Sequence, residues 1–384
     1  MSMTLAAVLG GAAGAVALVG AVTIACVLWR MHHRRASRAS EPNSSDPSLQ
    51  VSQSIRPSLR GCSSYSFDAQ GARCFTLEEL GQAANYFNAL NFIGAGKFGD
   101  VYKGLLNDMI VAIKRRPAAP SQEFIQEVEY LSSIRHRNLV SLLGYCQDSG
   151  LQMLVYEYVP NGSISAHLYG ASQTPSEKLE FKHRLSIAHG AAKGLAFLHS
   201  LSPPLLHTDF KTANLLVDEN FAPKVADAGL RNFLSKIGGN GQKMTADDLF
   251  LDPGINEVQE LTEKSDVYSF GVFLLELVSG QAAAEFQFIG PHESIIKWAQ
   301  SYHDLKDISD LVDAKIEGRF TTEGVREFLR LAARCLSPPP GFGRPPMSVV
   351  VAELDRILEK ERSLTTFMGE ATPSVTLGSE LFTS

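Results

Sequence analysis

The chain has 384 residues, of which 45% are hydrophobic and 20% charged, with a formal net charge of -6. That apolar content supports a substantial buried core, and the mildly acidic balance lacks the concentrated basic face that nucleic acid requires, so no nucleic-acid partner is expected. Five cysteines (Cys26, Cys62, Cys74, Cys146 and Cys335) are odd in number and lack metal-ligand spacing, which points to reduced thiols rather than a disulfide framework or a zinc site.

The first element is a run of 25 residues without formal charge, from Leu5 to Trp29. As a helix it spans roughly 37 Å at about 1.5 Å per residue, more than the roughly 30 Å hydrocarbon core of a bilayer. Positive charge follows the run, at Arg30, Arg34, Arg35 and Arg38, instead of preceding it. This is the pattern of an uncleaved anchor with its C-terminal bulk in the cytosol. With residues 1–4 ahead of the run, no outer ligand-binding domain is expected, and the Gly10/Gly14 pair would let two such helices associate, with themselves or with another chain. Residues 30–74, rich in Ser, Pro, Arg and Gln, read as a flexible juxtamembrane linker.

From residue 75 the pattern becomes globular. A glycine-punctuated hairpin is expected near Ile93 to Lys103, a strand at Ile110 to Lys114, an amphipathic helix at Gln122 to Ser133, and strands through Leu139 to Gly144 and Met153 to Tyr158. From His183 onwards the spacing is helical, as in Leu185, Ala188, Ala192, Leu195 and Leu198, and again over Val267 to Val278 and Val325 to Leu336. Residues 362–384 read as a loose tail.

The segment Ile93-Gly94-Ala95-Gly96-Lys97-Phe98-Gly99-Asp100-Val101 contains GxGxxGxV. Backbone amides approach phosphate oxygens only where side chains are absent, so these glycines suit a phosphate cover. A dinucleotide-binding turn would be followed by a helix, whereas here a strand follows and ends in Val111-Ala112-Ile113-Lys114. With His207-Thr208-Asp209-Phe210-Lys211-Thr212-Ala213-Asn214 and Asp227-Ala228-Gly229, the set resembles that of protein kinases. The chain is more specifically similar to plant receptor-like serine/threonine kinases. That likeness rests on Phe75-Thr76-Leu77-Glu78-Glu79-Leu80, Arg137-Asn138-Leu139-Val140, Leu154-Val155-Tyr156-Glu157-Tyr158 and Leu261-Thr262-Glu263-Lys264-Ser265-Asp266-Val267-Tyr268-Ser269-Phe270-Gly271.

The resemblance implies an α+β, two-lobed kinase fold over residues 75–361: a small β-sheet with one helix, then a mainly helical lobe, preceded by the transmembrane helix. It also implies ATP and Mg2+ as cofactors, a protein substrate or signalling partner, and a place at the plasma membrane. Ile93, Gly94, Gly96, Gly99, Val101 and Ala112 would surround the nucleotide, and Lys114 would bridge its phosphates. Glu127 would pair with Lys114, with Glu129 as a nearby rival better suited to the surface. Tyr156 resembles a gatekeeper, and Glu157 to Val159 the hinge that bonds adenine. Asp209 would orient the substrate hydroxyl and accept its proton, Lys211 would steady the transferred phosphate in the Ser/Thr manner, and Asn214 and Asp227 would ligate magnesium. Asp266 would prop the catalytic-loop backbone.

Four positions depart from the family pattern. Thr208 stands where an Arg would receive an activation-loop phosphate. Ala228 stands where a Phe would join the lobes, a loss of about 3 to 5 kcal/mol unless neighbours refill the space. Leu251-Asp252-Pro253-Gly254 lacks the expected Pro-Glu, and Thr245 to Phe250 lacks the usual docking sequence. Arg344 would pair with the missing Glu, and because a stranded buried guanidinium is costly, Asp252 or Glu257 is expected to take its place. Two functions follow: a Ser/Thr kinase of low or restricted activity, or a pseudokinase that serves as a membrane scaffold.

Overall fold

A computed structural model of the chain describes residues 71–170, 179–237, 249–254, 261–285, 312–316, 320–338 and 343–370, with side chains to 363. All of these lie in one compact unit, Gly61–Ser384. The expected anchor at 5–29 and most of the linker fall outside the described residues; among those described, no helix is long and apolar enough to cross a membrane.

The first lobe is a six-stranded sheet of order β1-β5-β6-β4-β3-β2. Its strands are β1 (Arg73–Cys74), β2 (Phe92–Ala95), β3 (Asp100–Leu106), β4 (Met109–Pro117), β5 (Leu142–Asp148) and β6 (Leu151–Glu157). β1 lies parallel to β5, with Arg73 opposite Gly144, and the remaining pairs are antiparallel. Helix α1 (Leu77–Ala83) starts at a capping box in which Thr76 Oγ1 accepts from Glu79 N and Glu79 accepts from Thr76 N. Strand alternation organises the site: Val111 and Ile113 of β4 enter an upper core with Phe75, Leu80, Met153 and Val155, which turns Ala112 and Lys114 to the opposite face, towards the cleft.

Helix α2 (Gln122–Ser133) matches the expected span; Ser121 Oγ caps it by accepting from Phe124 N at 3.2 Å. Phe124, Val128 and Leu131 are buried in its apolar stripe. β5 starts at Leu142, later than the sequence spacing indicated. The preceding residues turn instead towards the second lobe, where Val225 N donates to Asn138 O and Val140 N to Val225 O, both at 2.9 Å.

The second lobe contains α3 (Ile164–Tyr169), α4 (Phe181–His199), the two-stranded ribbon β7 (Leu215–Val217) and β8 (Pro223–Val225), α5 (Leu230–Lys236), α6 (Glu263–Ser279), α7 (Thr322–Cys335) and α8 (Met347–Glu370). Leu185, Ala188, Ala192, Leu195 and Leu198 of α4 are all buried, as their spacing predicts. α6 is buried along nearly its whole length, and Gly271 allows α7 to lie against it: a Cβ there would stand 2.8 Å from Leu336 Cγ. Buried Arg184 secures α4 by donating to Leu179 O, Leu277 O and Asp313 Oδ2, the last at 2.5 Å. Cys146 and Cys335 are free and buried, as expected of reduced thiols. Cys74, against that expectation, is disulfide-bonded.

Candidate phosphoryl-transfer site

The cleft between the lobes collects the residues that the sequence separates. The glycine loop joins β2 to β3 and is closed by Gly96 N donating to Gly99 O at 2.9 Å. Gly99 has φ 151° and a Cβ there would overlap the carbonyl of Arg115, so only glycine fits. Ile93 is exposed, Gly94, Val101 and Ala112 are half-buried, and Tyr156 is buried with the Lys114 ammonium 5.2 Å above its ring. Burial pushes the Tyr156 hydroxyl well above the ordinary tyrosine range. At the hinge, Glu157 accepts from Ser141 N at 2.7 Å and from Lys224 Nζ at 3.1 Å, and Val159 is buried.

Below the loop, Asp266 fixes the backbone of 207–209. Its carboxylate accepts from His207 N and Thr208 N, each at 2.8 Å, and meets His199 Nε2 at 2.9 Å. These bonds hold Thr208 at a φ of 65°, and Thr208 Oγ1 is buried with no hydrogen-bond partner. Asn214 Nδ2 donates to Asp209 O at 2.8 Å and to Asp209 Oδ2 at 3.1 Å, while Lys211 Nζ lies 3.5 Å from the same carboxylate. Burial alone would raise the Asp209 pKa; the hydrogen bond from Lys97 and the charges of Lys211, Lys97 and His207 hold it below the ordinary aspartate value.

The pairing of Lys114 with Glu127 does not occur. Lys114 Nζ is bonded to Asp227, and Glu127 accepts from Lys236 Nζ at 2.9 and 2.8 Å. The cause is α5, which begins immediately after Asp227-Ala228-Gly229 and packs against α2: Phe233 lies 5.7 Å from Phe124 and 6.2 Å from Phe98 of the glycine loop. Glu129 is exposed, as a surface acid should be. The loop tip also reaches down, so that Lys97 Nζ sits 2.5 Å from Asp209 Oδ1. Lys97 and Phe98 fill the unspecified positions of the glycine motif and Lys236 and Phe233 belong to no motif, so nothing in their sequence spacing signals these contacts.

Arg344 finds its acid. The guanidinium is only 2% exposed and grips Asp252 with two bonds, NH1 to Oδ2 at 2.5 Å and NH2 to Oδ1 at 2.9 Å; it also donates to Ser337 O and Lys264 O and lies 5.0 Å from the Tyr268 ring centroid. The alternative partner, Glu257, lies outside the described residues. The segment carrying Asp252 is anchored to α6 by Ser269 Oγ, which donates to Phe250 O at 2.7 Å. Around Ala228 the neighbours have largely refilled the space of an aromatic ring: Leu131, Leu139, Leu142, Tyr156 and Leu205 help line a cavity of only about 30 Å³.

The donor set suits magnesium, since Asp227 and Asn214 offer hard oxygens near Asp209. Among the described residues no group of three or more His, Cys, Asp or Glu could hold a metal ion. Lys114 occupies Oδ1 of Asp227 in this arrangement.

Residues 87–314 match the family model for the protein tyrosine and serine/threonine kinase domain. A probable leucine-rich repeat receptor-like protein kinase of Arabidopsis thaliana is 41% identical over 75% of this chain and 31% of its own length. Receptor-like protein kinase THESEUS 1 of the same plant is 39% identical over 77% of this chain and 35% of its own. The chain thus spans about a third of these relatives. An EPD1-interacting receptor-like cytoplasmic serine/threonine-protein kinase of Nicotiana benthamiana is 36% identical over 80% of this chain and 69% of its own length. Among solved structures, the pseudokinase domain of BIR2, an immune regulator of the RLK/Pelle family, aligns with a TM-score of 0.61 and 30% identity, covering 74% of this chain and 86% of that one. The chain therefore belongs to the plant receptor-like protein kinases.

Proposed function

We propose that this chain binds magnesium ATP and transfers phosphate slowly to Ser or Thr, from the cytosolic face of a membrane to which residues 5–29 anchor it. The observation that carries the reading is the convergence of Lys114, Asp209, Lys211, Asn214 and Asp227 in one cleft, with Asp266 fixing the loop that carries Asp209. Protein kinases use ATP and a divalent metal, which supplies charge neutralisation at the phosphates. Here Lys114 would reach the phosphates, Glu157 to Val159 would bond the adenine, Asn214 and Asp227 would hold the metal, Asp209 would orient the hydroxyl and accept its proton, and Lys211 would steady the moving group. The kinase domain would begin at 75 and run past the expected limit of 361, because α8 continues to Glu370; the 30–74 linker would join it to the anchor, with the Gly10/Gly14 pair available for helix association.

Turnover is the vulnerable quantity. Displacement of a reacting atom by about 1 Å can cost on the order of a hundredfold in rate, and Glu127 stands on Lys236 instead of Lys114. That displacement, with the likeness to the BIR2 pseudokinase domain, supports the second reading, a membrane-bound pseudokinase scaffold that acts through a protein partner. The deciding experiment uses the purified full chain. A magnesium-dependent thermal shift with ATP, lost in Lys114→Ala, together with slow phosphate incorporation lost in Asp209→Asn, is expected. A shift without Asp209-dependent incorporation leaves the scaffold; no shift at millimolar magnesium ATP rejects nucleotide binding altogether.

A further inference from the structure

Three contacts close the cleft, and none of them is a contact that phosphoryl transfer uses. Lys97, from the tip of the glycine loop, covers Asp209 at 2.5 Å. Phe98, the next residue, is buried between the Phe233 ring at 6.2 Å and the Arg116 guanidinium 5.0 Å above its own ring. Lys236, at the other end of α5 from Gly229, holds Glu127 at 2.8 Å. Glycine loop, α2 and α5 are thereby tied in a ring around the site.

We propose that Lys97 is an internal competitor of magnesium nucleotide, and that Lys97, Phe98, Phe233 and Lys236 act together as one clasp which sets the nucleotide affinity of this chain. The inference rests on the nucleotide reading above for its effect on affinity, whereas the clasp itself is a property of the protein alone. The charge arrangement carries the argument. Asp209 and Asp227 each have a lysine on them, Lys97 on the first and Lys114 on the second. For Asp227 to hold the metal, Lys114 would pass from it to the phosphates, and Lys97 would lift off Asp209 with the glycine loop so that phosphates could enter beneath the loop and Asp209 could meet a hydroxyl. Opening cannot stop at the loop, because Phe98 is packed on the same ring, Phe233, that presses on α2 through Phe124. Once Phe98 leaves, α5 loses one wall of its packing and Glu127 is held by a single pair whose lysine is 58% exposed, a weak tether. The apparent dissociation constant is then the intrinsic one divided by the open fraction, and an open fraction of about 1–10% weakens binding roughly 10- to 100-fold.

The test compares the full chain with Lys97→Gln and Lys236→Gln, both on partly exposed side chains. Without nucleotide, hydrogen exchange at amides 95–99 and 230–237 is expected to rise at least several-fold at both segments in both variants, because the ring opens as a unit. Titration with magnesium ATP, read by thermal shift, is expected to show about tenfold tighter binding in Lys97→Gln. Unchanged exchange at 230–237 in Lys97→Gln overturns the clasp whether or not nucleotide binds. Equal or weaker affinity in Lys97→Gln, with wild type binding, overturns the competitor role alone. If no variant binds ATP while exchange rises, the nucleotide reading fails and the competitor role falls with it.

Discussion

Replacing Asp252 by Ala removes both carboxylate oxygens from a guanidinium that is 2% exposed. The remaining acceptors of Arg344 are the carbonyls of Ser337 and Lys264, neither of which carries a compensating charge. Breaking a buried pair from one side costs about 3 to 5 kcal/mol. At roughly 2–4 °C per kcal/mol for a domain of this size, the midpoint of thermal unfolding should fall by about 6–20 °C. The assay is denaturant unfolding of wild type, Asp252→Ala, Arg344→Met and the double variant. The double variant should recover much of the loss, because a buried pair replaced on both sides by apolar groups is often close to neutral. In the Asp252→Ala background, Gly254→Glu restores a carboxylate at the position where the family carries it and should regain part of the stability. A loss below about 1 kcal/mol for Asp252→Ala, or a strictly additive cycle, would refute the reasoning.

Ala228→Phe, a return to the family residue, should destabilise this chain by about 1–3 kcal/mol through overpacking, since only about 30 Å³ remains beside it; a raised midpoint of unfolding would show that the neighbours yield. Glu276 is buried, and burial raises its pKa above the ordinary 4.5 despite hydrogen bonds from Ala283 N, Thr212 and Tyr169. The unfolded side chain ionises first as pH rises, so its contribution is complete below 4.5 and is lost as pH climbs through the raised folded value. Glu276→Gln, an uncharged mimic, should therefore gain stability relative to wild type as pH rises above 4.5, as read by denaturant midpoints; a pH-independent difference would be inconsistent with the shift.

Much of the fold was legible because the elements are long enough for their periods to show. The stripe of Phe124, Val128 and Leu131 gave α2 its limits, and the alternation around Val111 and Ile113 turned Lys114 to the cleft. The partner of Arg344 was legible for a different reason: a buried guanidinium demands a carboxylate, and few were within reach. The Glu127 contact was not, because it depends on α5. Seven residues are too few for a period to declare itself, and the lysine that takes Glu127 lies 109 positions away. Lys97 was hidden by its setting as well, since a lysine at the tip of a glycine-rich loop reads as a solvated charge. The motifs identified which residues serve the site, while the pairing among them was decided by packing between distant segments.

One turn of α6 carries two separate moorings. Asp266 takes the amides of 207 and 208, while Ser269 and the ring of Tyr268 receive the segment of Asp252 and the guanidinium of Arg344. The two sets share no hydrogen bond; they meet across a small cavity that residues 208–210 and 250–252 line together beside Asp266 and Ser269 of α6, a helix buried along nearly all its length. The segment of Asp252 can accordingly change its side chains without removing a hydrogen bond from the loop that carries Asp209.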